Sequence, residues 1–106
     1  MIVLGVDPGA KTGLVVLDCS GVRPDVKQRV AADGDDLAGA VRLLCGWFSP
    51  DVLAIELPSQ VFAHGRGAKS MGARVGIERS LLAARDVAGV IKGIVGTLCP
   101  AVRVFE

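Results

Sequence analysis

The sequence predicts an α/β domain: a mixed five-stranded sheet, a three-strand antiparallel meander plus two parallel strands, with flanking helices. Three observations predict it. The chain opens on two short apolar runs, Ile2 to Val6 and Leu14 to Leu17, joined by a turn that contains Pro8, Gly9 and Gly13; short β-branched runs bounded by turn residues read as paired strands. A further apolar run, Asp51 to Glu56, follows a segment with apolar residues at helical spacing. A strand–helix–strand order makes a right-handed crossover that leaves the two strands parallel. The composition agrees: 106 residues suffice for one core, and 51% hydrophobic with 4% aromatic residues is the profile of a Val/Leu/Ala-rich sheet, not of a disordered chain.

The elements follow in order. Pro8 cannot continue a ladder and the glycines allow positive φ, so the chain reverses after Asp7 and pairs Leu14 to Leu17 against the first strand. Cys19 to Pro24 reads as a loop. Val26 to Ala32 alternates loosely and is expected as a third, edge strand, where Lys27 and Arg29 discourage further pairing. Asp33 is expected to cap a helix whose core positions are Leu37, Val41, Leu44 and Phe48, with acids in its first turn and Pro50 beyond its end. The almost wholly apolar interior of Asp51 to Glu56 suits a parallel strand covered on both faces. Residues 57–69 read as a loop, about 70–98 as helix in one or two pieces, and Val102 to Glu106 as the last strand, starting after Pro100.

Net charge is +1, so no global basic field announces a polyanionic partner. Its distribution is uneven, with five Lys/Arg against eight Asp/Glu in residues 1–62 and seven against three in 63–106. An acidic half beside a basic half is compatible with a metal site next to a phosphate-binding surface. The three cysteines lack CxxC spacing and read as reduced thiols. The N-terminus enters a strand directly, with no basic leader, and Arg85, Asp86 and Lys92 interrupt the most apolar helix; a cytoplasmic protein without a membrane span is expected.

The string VLGVDPGAKTGLVVLD, residues 3–18, closely resembles the opening motif of the RuvC family of Holliday-junction resolvases, within the ribonuclease-H-like superfamily. Asp51 to Glu56 looks like that family's strand carrying a second acid, and Val102 to Glu106 like the strand after its long helix. The resemblance spans nearly the whole chain, and its first motif is the specific one. It implies a ribonuclease-H-like sheet, a structure-selective endonuclease that nicks four-way DNA junctions, Asp7 and Glu56 as catalytic metal ligands for Mg²⁺ or Mn²⁺, and a homodimer through the helix at 70–98. The family completes its site with acids on a helix after the last strand. Residues 1–106 contain no such helix, so a single domain over 1–106 lacking that catalytic helix is expected, a fragment or a degenerate member, with part of the sheet or an apolar helix face left exposed.

The residues themselves support this chemistry and also plainer roles. Asp7 and Glu56 fall at the carboxyl ends of adjacent parallel strands, where open α/β sheets place ligands, and two close carboxylates suit a hard divalent cation; the plain alternative is a turn residue and a solvated strand end. Asp18 and Asp51 fall at the opposite edge. Glu106 stands as a candidate third ligand or a solvated terminus. In the loop, Arg66, Lys69 and Arg74 interleave with glycines, which lets the backbone approach phosphates. Phe62 is similar to the aromatic residue that the family uses near the junction centre, or else packs in the core. Lys11 and Thr12 touch a phosphate or finish the first turn, and His64 is a loop histidine. Gly89 and Gly93, four apart like Gly72 and Gly76, mark close packing on the sheet or a dimer seam. The rival functions are a non-catalytic module binding branched nucleic acid or protein, and a nuclease of the same superfamily acting on RNA.

Overall fold

The computed structural model describes residues 1–57 and 71–106, without the side chains of 71–82. Five strands, β1 (Ile2–Asp7), β2 (Thr12–Asp18), β3 (Asp25–Ala32), β4 (Val52–Ile55) and β5 (Arg103–Phe105), and two helices, α1 (Gly34–Phe48) and α2 (Met71–Leu98), make up the fold. The sheet order is β3-β2-β1-β4-β5. Pairing is antiparallel for β1 with β2 and β2 with β3, and parallel for β1 with β4 and β4 with β5. This is the meander plus two parallel strands expected from the sequence, and the second helix is one continuous piece.

The strands form where predicted because their alternate residues go into one core. Leu4, Val6, Leu14, Val16, Leu53 and Ile55 on the sheet pack with Leu37, Val41, Leu44 and Cys45 of α1 and Ala88, Ile91 and Val95 of α2. Both helices therefore lie on one face. On the face of β4 turned away from the helices, Val52 is buried and Ala54, in register with Gly5, is partly buried. Its other alternate residues, Leu53 and Ile55, lie in the core beneath the helices.

Helix α1 starts and stops by backbone geometry. Asp33 is extended (φ −136°, ψ 167°) and its side chain makes no capping hydrogen bond, contrary to the expected cap; the Asp36 amide instead donates to the Asp33 carbonyl at 3.1 Å. Asp35 and Asp36 still place negative charge in the first turn. At the other end Ser49 turns left-handed (φ 46°) and its amide donates to the Cys45 carbonyl, releasing the chain into Pro50 and β4. All three cysteines are free thiols. Burial, with Cys99 alongside, pushes the Cys45 thiol up to about 11.

Candidate functional site

The acid pair is placed by strand register. Val6 pairs with Ile55, and the Glu56 amide donates to the Val6 carbonyl at 2.9 Å, so Asp7 and Glu56 leave the ends of neighbouring parallel strands about 4.8 Å apart at the backbone. Both are exposed. Both line one broad hollow of about 830 Å³ on the helix-free face, together with Gly5, Gly13, Val15, Arg29, Ala31, Ala54, Phe105 and Glu106.

The turn that follows Asp7 and joins β1 to β2 is held from inside. Pro8 is buried, and Thr12, 1% exposed, donates its hydroxyl to the Gly9 carbonyl at 3.3 Å. The Thr12 hydroxyl is thus engaged in finishing the turn. Lys11 beside it is exposed and open to a ligand. Glu106 lines the hollow, yet its carboxylate pairs with Lys92 of α2. Among the described residues no group of three or more His, Cys, Asp or Glu comes together in a way that could hold a metal ion.

The opposite end of the sheet carries the other two acids in structural roles. The Ile2 amide donates to the Asp51 carboxylate at 2.8 Å, stitching β1 to the start of β4. Asp18 accepts from the Ser20 amide at 3.0 Å, and its hydrogen bonds from Ser20 hold its carboxyl below the ordinary range.

Phe62, Arg66 and Lys69, and with them His64, lie outside the described residues, and so does the Arg74 side chain. Gly89 and Gly93 lie within them, and a Cβ on either would meet nothing within 4 Å. The reading that these two glycines pack tightly on the sheet is corrected, since they face outward. Two features of the hollow escaped the sequence reading, Arg29 as a lining residue and Phe105 as a second exposed wall. Their signal was the alternation that puts positions 29 and 105 in register with Val15 and Ala54.

No protein-family model and no curated protein sequence matches the chain. Solved structures do. A RuvC from T. thermophilus in complex with a Holliday junction substrate is similar over 98% of this chain and 61% of its own, at TM-score 0.63 and 17% identity. A second Thermus thermophilus RuvC structure is similar over 84% of this chain and 60% of that one, at TM-score 0.50 and 19% identity. The chain spans about three fifths of the length of these structures. The resemblance carried by the first motif thus holds at the level of the fold: the chain has the ribonuclease-H-like mixed sheet of the RuvC structures.

Proposed function

We propose that the chain belongs to a metal-dependent endonuclease of the junction-resolvase type, which nicks four-way DNA junctions by phosphodiester hydrolysis. The observation that carries this reading is the juxtaposition of Asp7 and Glu56, on one face of a sheet that resembles a junction-bound RuvC. The donor set fits Mg²⁺ or Mn²⁺: two hard carboxylates, exposed and on adjacent strands, leave room for water and substrate phosphate in the rest of the shell. A divalent cation held there supplies Lewis-acid polarisation of the phosphodiester and a more acidic water.

The rest of the work falls to the chain itself. The rigid β1–β4 pair fixes the spacing of the two carboxylates, and the Thr12–Gly9 bond keeps the Asp7 turn from splaying. Lys11, exposed in that turn, is assigned to meeting a phosphate, with Thr12 beside it in the chain. Phe62, Arg66, Lys69 and Arg74 are assigned to gripping the DNA, and the outward glycines Gly89 and Gly93 let two copies of α2 approach in a homodimer. The second reading, a non-catalytic module binding branched nucleic acid, draws on the pairing of Glu106 with Lys92, which leaves two uncommitted acids in the hollow.

The test is a Mg²⁺- or Mn²⁺-dependent cleavage assay on a labelled four-way junction, with linear duplex and an RNA–DNA hybrid alongside. Junction-selective nicking that Asp7→Asn lowers at least about 100-fold is expected, since metal-borne charge stabilisation contributes several kcal/mol. Nicking would show that these residues hold a complete site; tight junction binding without nicking in either protein would mark a fragment or degenerate resolvase, or the binding module, and preferential cleavage of the hybrid would select an RNA-directed nuclease.

A further inference from the structure

We propose that Cys45 and Cys99 are a redox pair: on oxidation they form an intramolecular disulfide that fastens the C-terminal ends of α1 and α2 together. The pair stands at the end of the sheet opposite Asp7 and Glu56, so it is independent of the nuclease reading above.

Topology brings the two residues to one place. Helix α1 runs into β4 and α2 runs into β5, and those strands are parallel neighbours with Val52 in register with Arg103. The Arg103 amide donates to the Asp51 carbonyl at 3.0 Å. The two helices, which pack on the same face of the sheet, therefore finish side by side at the same end of it. Cys45 lies in the last turn of α1, and Cys99 directly follows the last residue of α2. Backbone hydrogen bonds fix both positions: the Cys45 carbonyl accepts from the Ser49 amide at 2.9 Å, the Cys99 amide donates to the Val95 carbonyl at 2.7 Å, and the Cys99 carbonyl accepts from the Val102 amide at 3.0 Å. The side chains follow. Cys45, 3% exposed, belongs to the core cluster, and Cys99 packs against that cluster half-buried. The two thiols are neighbours, the placement a disulfide needs. Cys19, the third thiol, follows β2 and is not part of the cluster.

Their exposure gives the two sulfurs different tasks. Burial, with Cys99 beside it, pushes the Cys45 thiol up to about 11, so Cys45 is protonated, out of reach of reagents in solution and inert by itself. Cys99 reacts first. Its thiolate attacks a low-molecular-weight disulfide; a bond forms between Cys99 and one half of the reagent, and the other half leaves as a thiolate. Cys45 then gives up its proton and attacks the Cys99 sulfur, the Cys45–Cys99 bond forms, and the second half leaves. Two protein thiols are oxidised by two electrons, one small disulfide is reduced to two thiols, and the two protons end on those thiols. The loop so closed, residues 45–99, holds β4, Glu56 and all of α2. Closing a long loop takes more freedom from the unfolded chain than closing a short one, so the bond acts as a clamp on stability.

The experiment incubates the native Cys19→Ser protein with oxidised glutathione, quenches it in acid, and reads intact mass and tryptic peptides, with Cys19→Ser/Cys99→Ser as the control. The main product is expected to be lighter by two hydrogen atoms, with residues 43–66 linked to residues 93–103. Its Tm is expected to rise by at least about 5 °C and to return on reduction. The control is expected to gain neither the bond nor the shift, and its Cys45 to stay free. A glutathione adduct that persists on Cys99 with Cys45 free, or a link that forms only in urea, would overturn the pair. A linked protein with an unchanged or lower Tm would overturn the clamp.

Discussion

Gly5 sits at the centre of the helix-free face for a steric reason. A Cβ there would stand 2.9 Å from Cγ1 of Val15, the residue paired with it across β1 and β2. Val15 is β-branched and stiff at χ1, so it yields only at a cost. Gly5→Ala is expected to destabilise the fold by about 1 to 2 kcal/mol, the usual penalty of overpacking, and Gly5→Ala with Val15→Ala to recover most of the loss. Urea denaturation of the single and double variants checks this; equal losses would show that Val15 is not the obstacle. The same reasoning separates residues that look alike in sequence. Lys11 and Thr12 are neighbours in one turn, but burial commits the hydroxyl to the Gly9 carbonyl and leaves the ammonium outside.

At the scale of elements, α2 carries glycines that no neighbour among the described residues demands. Gly89, Gly93 and Gly96 each face open space, and a glycine inside a helix costs up to about 1 kcal/mol relative to alanine. Gly89→Ala and Gly93→Ala are each expected to stabilise the monomer by up to that amount, read as a higher Tm at dilutions where the chain is monomeric. Sedimentation at higher concentration then tests the homodimer: added methyl groups on this seam should weaken it. An unchanged or lower monomer Tm would show that the glycines serve the chain's own packing. Helix α1 shows the same economy of means, for its boundaries come from backbone turns at Asp33 and Ser49 and not from a side-chain cap.

At the scale of the molecule, both helices among the described residues lie on one side of a five-stranded sheet. The other side carries the hollow that both acids, Arg29 and Phe105 line. Among the described residues no helix is long and apolar enough to cross a membrane. Metal binding at the acid pair should register in global stability, because a ligand that binds only the folded chain stabilises it by mass action. At a hundred times its Kd, Mn²⁺ is expected to add about 2.7 kcal/mol to wild type and far less to Asp7→Asn, measured as a shift in melting temperature. Equal shifts in the two proteins would remove Asp7 from the metal site.

What the sequence by itself determined is local: two strands closed by a Pro/Gly turn, an amphipathic helix ended by Ser49 and Pro50, a crossover to a parallel strand, and acids at the ends of both parallel partners. These follow from period-2 and period-3.6 patterns and from turn chemistry, which depend on residues a few positions apart. Phe62, Arg66 and Lys69 lie outside the described residues, so their assignment rests on sequence alone. Tertiary structure decided which face of the sheet the two helices cover, that Glu106 turns to Lys92, that Gly89 and Gly93 point outward, and that Arg29 rather than Lys27 lines the hollow with the acids. Those outcomes depend on how two distant helices share one sheet face, and on register set across five strands. Alternation along a strand says that two faces exist; only packing between segments far apart in sequence chooses which of them is covered.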